Sequence, residues 1–254
     1  MTRFRMYAMW LVAGFGLGRV VVAESPSPTG TAEYRVQAEA DSPATGPTSL
    51  ENLDGRIQAI ETELQASPDD PARRLALAKL LYFKGLDGDS KASARAESIL
   101  LKLAEKTKDD PMITAYLGSS RLIAAARTWA LAKKGSMCKE GLALLDRAVN
   151  DAPEDEEIRF LRAASTFHLP GFFKRAEQSA ADFAWIAPRA KKAVESGKLD
   201  RTIAAAALFH DGVCRNRKSD KAGARVSWEA AVEIGPETRA GRDAAMKLKS
   251  IRGS

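Results

Sequence analysis

The stretch Lys221-Ala222-Gly223-Ala224-Arg225-Val226-Ser227-Trp228-Glu229-Ala230-Ala231-Val232-Glu233-Ile234-Gly235-Pro236-Glu237 decides the fold class. Ala224, Trp228 and Ala231 follow one another at steps of four and three, which is one face of an α-helix, and Pro236 comes five positions later. Small side chains at 224 and 231 allow a second helix to approach closely, while the indole between them fills the space this leaves. The same run returns as Gly141, Leu145, Ala148 and Pro153 with the same steps. Leu208 and Gly212 precede the first run, and Leu117-Gly118 precedes the second. An earlier unit has Leu75, Ala78 and Tyr82, then Ala96 and Leu100. Prolines beside acids punctuate these units, as in Asp69-Asp70-Pro71, Asp109-Asp110-Pro111 and Pro153-Glu154-Asp155. Proline suits a first helical turn, and an aspartate before it can cap the helix. Pro68, Pro111 and Pro153 recur at near-equal steps, and Pro236 follows close to two such steps further on. A period of about 40 residues holding two helices is the mark of an α-solenoid.

In this register the chain resembles the tetratricopeptide repeat, whose helix A carries a bulky residue and then Leu-Gly, and whose helix B carries a small residue, a large one, an alanine and a proline. The resemblance implies an all-α superhelix of antiparallel helix pairs over residues 51–254. Three departures stand out. The distance from Gly118 to Pro153 exceeds the pattern by about ten residues, which predicts a lengthened helix A or an inserted loop. Arg162 occupies a small-residue position in a unit with helices from Glu154 and about Phe172, and Asp211 replaces the leucine before Gly212. Residues 115–186 are similar to a bacterial, exported, tetratricopeptide-like family without established activity. The resemblance rests on Ala115-Tyr116-Leu117-Gly118-Ser119, Lys139-Glu140-Gly141-Leu142, Ile158-Arg159-Phe160-Leu161-Arg162, and Leu169-Pro170 followed by Phe173, Arg175 and Asp182.

Composition agrees with helices. Apolar residues make up 45% of the chain and aromatics only 7%, with alanine and leucine leading. Arg3 and Arg5, an uncharged run from Met6 to Gly18 and Val21-Val22-Ala23 form the three parts of a secretory signal, read as residues 1–23. Arg19 interrupts the apolar stretch too early for a membrane span, so membrane contact is expected only through an uncleaved N-terminus. Residues 24–50 are rich in Pro, Ser, Thr and Gly without apolar period and read as a disordered linker. The net charge of +6 is uneven: residues 1–23 carry +3, residues 24–188 carry −4, and the last third from Arg189 carries +7. A basic surface of this kind is a solvated helix face or the footprint of an anionic partner.

Little in the sequence suggests catalysis. His168 and His210 lie far apart in the chain with no ligand spacing around them, so no metal and no cofactor are expected. His168 reads as a cation favoured at a helix C-terminus. Cys138 and Cys214 belong to helices two units apart, further than a disulfide reaches, and are expected as thiols. The best polar constellation is Arg159, Arg162, Arg175 and Asp182. Arg162 points into the seam between helices and is expected to pair with Asp182 or Asp146. Arg159 is expected to face the groove of the A helices and, with Arg175, to offer guanidinium forks to a carboxylate or phosphate. Trp129, Lys133 and Lys134 extend that groove, or Trp129 packs within a lengthened helix.

Three functions compete. A non-catalytic exported scaffold binding an envelope protein or peptide on its concave face comes first. An anion or envelope-surface binder using the basic last third comes second. A helical cell-wall enzyme comes third, because no acid in a cleft with sugar-stacking aromatics is visible. Nucleic acid is not expected, since export removes the usual target.

Overall fold

The computed structural model describes residues 52–252 apart from Lys108. The signal and linker readings of 1–23 and 24–50 therefore lie outside the described residues. Eleven α-helices and one short 3-10 turn follow one another, with no strand among the described residues. We number them α1 (Leu53–Ala66), α2 (Pro71–Leu86), α3 (Ser90–Lys106), α4 (Pro111–Arg127), α5 (Leu131–Asp151), α6 (Glu156–Thr166), α7 (Ala176–Ile186), α8 (Ala190–Glu195), α9 (Arg201–Arg217), α10 (Lys221–Ile234) and α11 (Arg239–Arg252). The pairs α2/α3, α4/α5, α6/α7 and α9/α10 are antiparallel hairpins stacked in order, with α1 and α11 at the two ends and α8 between the third and fourth pairs.

The helix starts follow from the acids. Asp70, Asp110, Asp155 and Asp200 cap the four A helices by accepting from backbone N–H groups of the first turn, and Pro71 and Pro111 occupy it. Pro68, Pro153 and Pro236 instead lie in the turns before α2, α6 and α11. Asp89 and Asp220 cap α3 and α10 in the same way.

The close-approach residues meet where the repeat pattern requires. Gly118 and Gly141 face each other, and a Cβ on Gly118 would stand 2.9 Å from the Gly141 carbonyl oxygen. A Cβ on Gly212 would collide with the Trp228 indole, whose Nε1–H donates to the Phe209 carbonyl at 3.1 Å. Trp228, Ala224 and Ala231 are all buried. The long middle unit has a cause other than a longer helix A. α4 has 17 residues, against 16 in α2 and 17 in α9, whereas α5 has 21, against 17 in α3 and 14 in α10, and the surplus lies at its N-terminal end. Trp129 sits in the short break between α4 and α5, not packed inside a helix.

α4 is buried on almost every side: Ala115, Tyr116, Ser119, Leu122 and Ala125 are all sealed from solvent. A helix enclosed on every side has neighbours all round. Lys79 on α2 reaches past α4 to Glu157 on α6 at 2.7 Å, so the A helices wrap around α4 and close the inner face there. The expected open groove along the A helices is absent at this point, because the superhelix is wound tightly enough for α2 and α6 to meet.

Candidate functional site

Four polar groupings arise from this packing. The first fills the closed inner face. The Tyr116 hydroxyl donates to Glu157 Oε1 at 2.5 Å, and Glu157 also binds Lys79. The Tyr82 hydroxyl, Ser119 Oγ and Ser165 Oγ form a chain with both contacts at 2.5 Å. Burial pushes the Tyr82 phenol up to about 12, and burial with the Glu157 carboxylate beside it drives Tyr116 well above its ordinary value. Both phenols therefore stay protonated. Tyr116 and Ser119 belong to the Ala115–Ser119 run, so that run has a structural role, bonding α4 to α2 and α6.

The second grouping is the seam between α5, α6 and α7. Asp182 on α7 is buried, at 1% exposure, and accepts from Arg162 Nε at 2.8 Å, Arg162 Nη2 at 2.8 Å and Arg159 Nη1 at 2.9 Å. Asp146 on α5 receives Arg175 Nη1 at 2.8 Å, with Arg162 Nη1 at 3.6 Å, and Gln178 joins them. Arg162 sits where a small residue is usual because its guanidinium replaces apolar filling with a fork shared by two carboxylates. Arg159 does not open onto an A-helix groove. It folds against α7, donates from Nε to the Pro153 carbonyl at 2.6 Å and stacks 4.3 Å from the Trp185 ring. Arg189 stacks on the same ring at 4.0 Å. Arg159 and Arg175, expected as open forks, are each committed to a carboxylate of their own chain.

The third grouping gathers residues distant in sequence. His168 and His210 come within 6.3 Å, ring to ring, around Phe167 and Phe183, and Arg217 lies 4.7 Å over Phe167. Burial, and secondarily Arg217, lowers the His168 pKa; burial, His168 and Arg217 bring His210 down to about 3. His168 is therefore neutral near pH 7 rather than the cation expected at the helix end, because desolvation and Arg217 outweigh the dipole. Cys138 and Cys214 are buried thiols, both raised by burial. Among the described residues no three His, Cys, Asp or Glu side chains group to hold a metal ion.

The fourth is a cleft of about 280 Å³ between the end of α2, α3 and the second half of α4. Ile123 and Ala124 give it an apolar wall; Ser90, Ser93, Glu97, Arg127 and Thr128 supply polar groups. Glu97 is held by Arg121 at 2.8 Å, and Arg127 Nη2 donates to the Gly85 carbonyl at 3.1 Å. Ser93 Oγ is shielded from solvent yet has no hydrogen-bond partner. Sequence reasoning missed this cleft, since its residues carry no motif. At its mouth the chain leads through Thr128 to Trp129, 93% exposed, and on to the exposed Lys133.

Comparison with known proteins bears on the fold alone. No protein-family model matches the chain, and no curated protein matches it. A solved structure does: a thermophilic TPR protein of Thermus thermophilus, 15% identical, with a TM-score of 0.53 over 78% of this chain and 89% of that one. The chain has a tetratricopeptide-like fold. Its helix pairs, glycine–indole packing and acid-capped A helices are the local causes of that likeness.

Proposed function

We propose that the protein is a non-catalytic, exported tetratricopeptide-like scaffold that binds a peptide segment of an envelope protein in the cleft between α3 and α4. The fold provides a rigid helical wall on each side of an extended ligand. The observation that carries the site is the cleft's lining, in which an apolar wall of Ile123 and Ala124 is met by the polar side chains of Ser90, Glu97, Arg127 and Thr128. A few polar groups set around an apolar wall are what fixes the orientation of a bound segment. Glu97 and Arg127 add one charge of each sign to orient the segment.

Export rests on the basic, apolar and small-residue pattern of residues 1–23. A second reading, an anion binder using the basic last third from Arg189, is supported by Arg189, which is exposed and stacks 4.0 Å from the Trp185 ring. A displayed peptide library panned against the full chain tests the main reading. Selected peptides should lose binding to Ala94→Trp, which fills the cleft from an exposed position on α3. Peptides that bind this variant as well as the parent, and lose binding instead to Arg189→Ala, would transfer the site to the basic last third.

A further inference from the structure

The antiparallel hairpins place all four A-to-B turns on one edge of the stack: residues 87–89, 128–130, 167–175 and 218–220. Of these, α4 runs further toward this edge than the helices α2 and α6 on either side of it. Ser119 on α4 is level with Ser165 on α6, to which it is bonded, and α6 ends at the next residue, Thr166. α4 continues from Ser119 to Arg127, a further rise of about 12 Å at roughly 1.5 Å per residue. On the other side α2 ends at Leu86, one turn after Tyr82, the Ser119 partner there, so the tip clears that neighbour by about 6 Å.

This tip carries what a folded surface normally hides. Trp129 is 93% exposed and Leu131 68%, and Phe172 on the next turn of the same edge is 71% exposed. The charged residues from Trp129 up to Glu140 are all cations, Lys133, Lys134 and Lys139, whereas Arg121 further down α4 is tied to Glu97 and Glu140. The start of α5 lacks the aspartate that caps α3 and α10, as does the start of α7. Ala130 gives no side-chain cap, and Lys133 and Lys134 lie in the first turn against the helix dipole. Uncapped amides beside two lysines favour an anionic oxygen ligand from outside the chain.

We infer that the α4–α5 tip docks the protein onto an anionic lipid bilayer, with Trp129 and Leu131 entering the interface and Lys133 and Lys134 meeting headgroup phosphates. The apolar side chains form a convex point, so they suit a soft medium that closes around them and not a preformed pocket. Tryptophan prefers the headgroup level, where its ring is buried and its N–H stays wet. The tip's protrusion matches the depth of interfacial insertion, about 5–10 Å. No described helix is long and apolar enough to cross a membrane, so the contact is peripheral. It is a route to the bilayer separate from the N-terminal segment.

Co-sedimentation of the full chain with vesicles tests this, using phosphatidylcholine alone and phosphatidylcholine mixed with anionic phosphatidylglycerol. Binding should be at least tenfold tighter on the anionic vesicles and should fall as salt rises. The double variant Trp129→Ser with Leu131→Ser, and separately Lys133→Gln with Lys134→Gln, should each weaken anionic-vesicle binding about tenfold. Both should keep the parent's melting curve, because the altered side chains stand at the surface of the tip. An N-terminal segment that itself binds lipid is common to all variants and cancels in the comparison. Equal binding by parent and both variants would overturn the inference, as would equal binding of the parent to both vesicle types. Failure of the parent to sediment with either would overturn it too, and binding of the tip to an acidic protein instead would reassign it.

Discussion

Arg162→Ala is the substitution whose cost the structure defines most directly. Asp182 is sealed from solvent and holds three charge-assisted hydrogen bonds, two from Arg162 and one from Arg159. Truncating Arg162 removes two of them and leaves the carboxylate buried beside a cavity. Breaking a buried pair from one side costs about 3–5 kcal/mol. Arg159→Ala leaves the bidentate Arg162 fork in place and removes two hydrogen bonds, to Asp182 and to the Pro153 carbonyl, and a stacking contact, a loss of about 1.5–2.5 kcal/mol. At about 2–4 °C per kcal/mol for a chain of this size, Arg162→Ala should lower the Tm by roughly 10 °C and Arg159→Ala by a few degrees. Urea unfolding followed by helical circular dichroism measures both. Arg162→Ala with Asp182→Ala should cost less than the two single changes added together, because neither partner is then stranded. Equal losses below about 1 kcal/mol for both arginines, or strict additivity with Asp182→Ala, would refute the reasoning, since that requires a solvated carboxylate.

The same packing sets three further outcomes. Gly212→Ala places a methyl in the Trp228 ring and should destabilise by about 1–3 kcal/mol in the same urea assay, the range for overpacking, while Gly135→Ala in open space should not. The His210 pKa near 3 lies below the unfolded value of about 6.5, so the unfolded chain takes up a proton that the folded chain refuses. Stability should therefore be unaffected by His210 above about pH 6.5 and fall by roughly 1–2 kcal/mol toward pH 5, a slope that His210→Phe should reduce in urea midpoints measured at both pH values. Cys138 and Cys214 are buried with raised pKa values, so a thiol reagent at pH 7 should label the native protein slowly and the urea-unfolded protein fast.

The helix pairs were legible in the sequence because close packing leaves a spaced signature. Gly118 against Gly141 and Gly212 against Trp228 require small and large residues at fixed steps along each helix, and those steps survive in one dimension. Arg162 and Asp182 were readable as a pair for the same reason: a charge at a small-residue position needs a partner nearby. What escaped was the winding of the superhelix. Lys79 meets Glu157, and Tyr82 meets Ser119 and Ser165, through a curvature that depends on side-chain volumes summed over three units. No local spacing encodes it. The same curvature closed the groove expected for Arg159 and brought His168 beside His210 from a distant part of the chain. The Trp129 tip was misplaced because the surplus length of the middle unit could be assigned to either helix. No capping residue precedes Leu131, so nothing in the sequence marked the start of α5.

Hydrogen–deuterium exchange of the full chain with a selected peptide bound tests most directly the claim that the partner sits between α3 and α4 and not on the inner face. Exchange should slow on α3 from Ser90 to Glu97 and on α4 from Ser120 to Thr128, with α6 and α9 unchanged. Slowed exchange on α6 and α9, with α3 unchanged, would contradict that claim and restore an open A-helix groove as the binding surface.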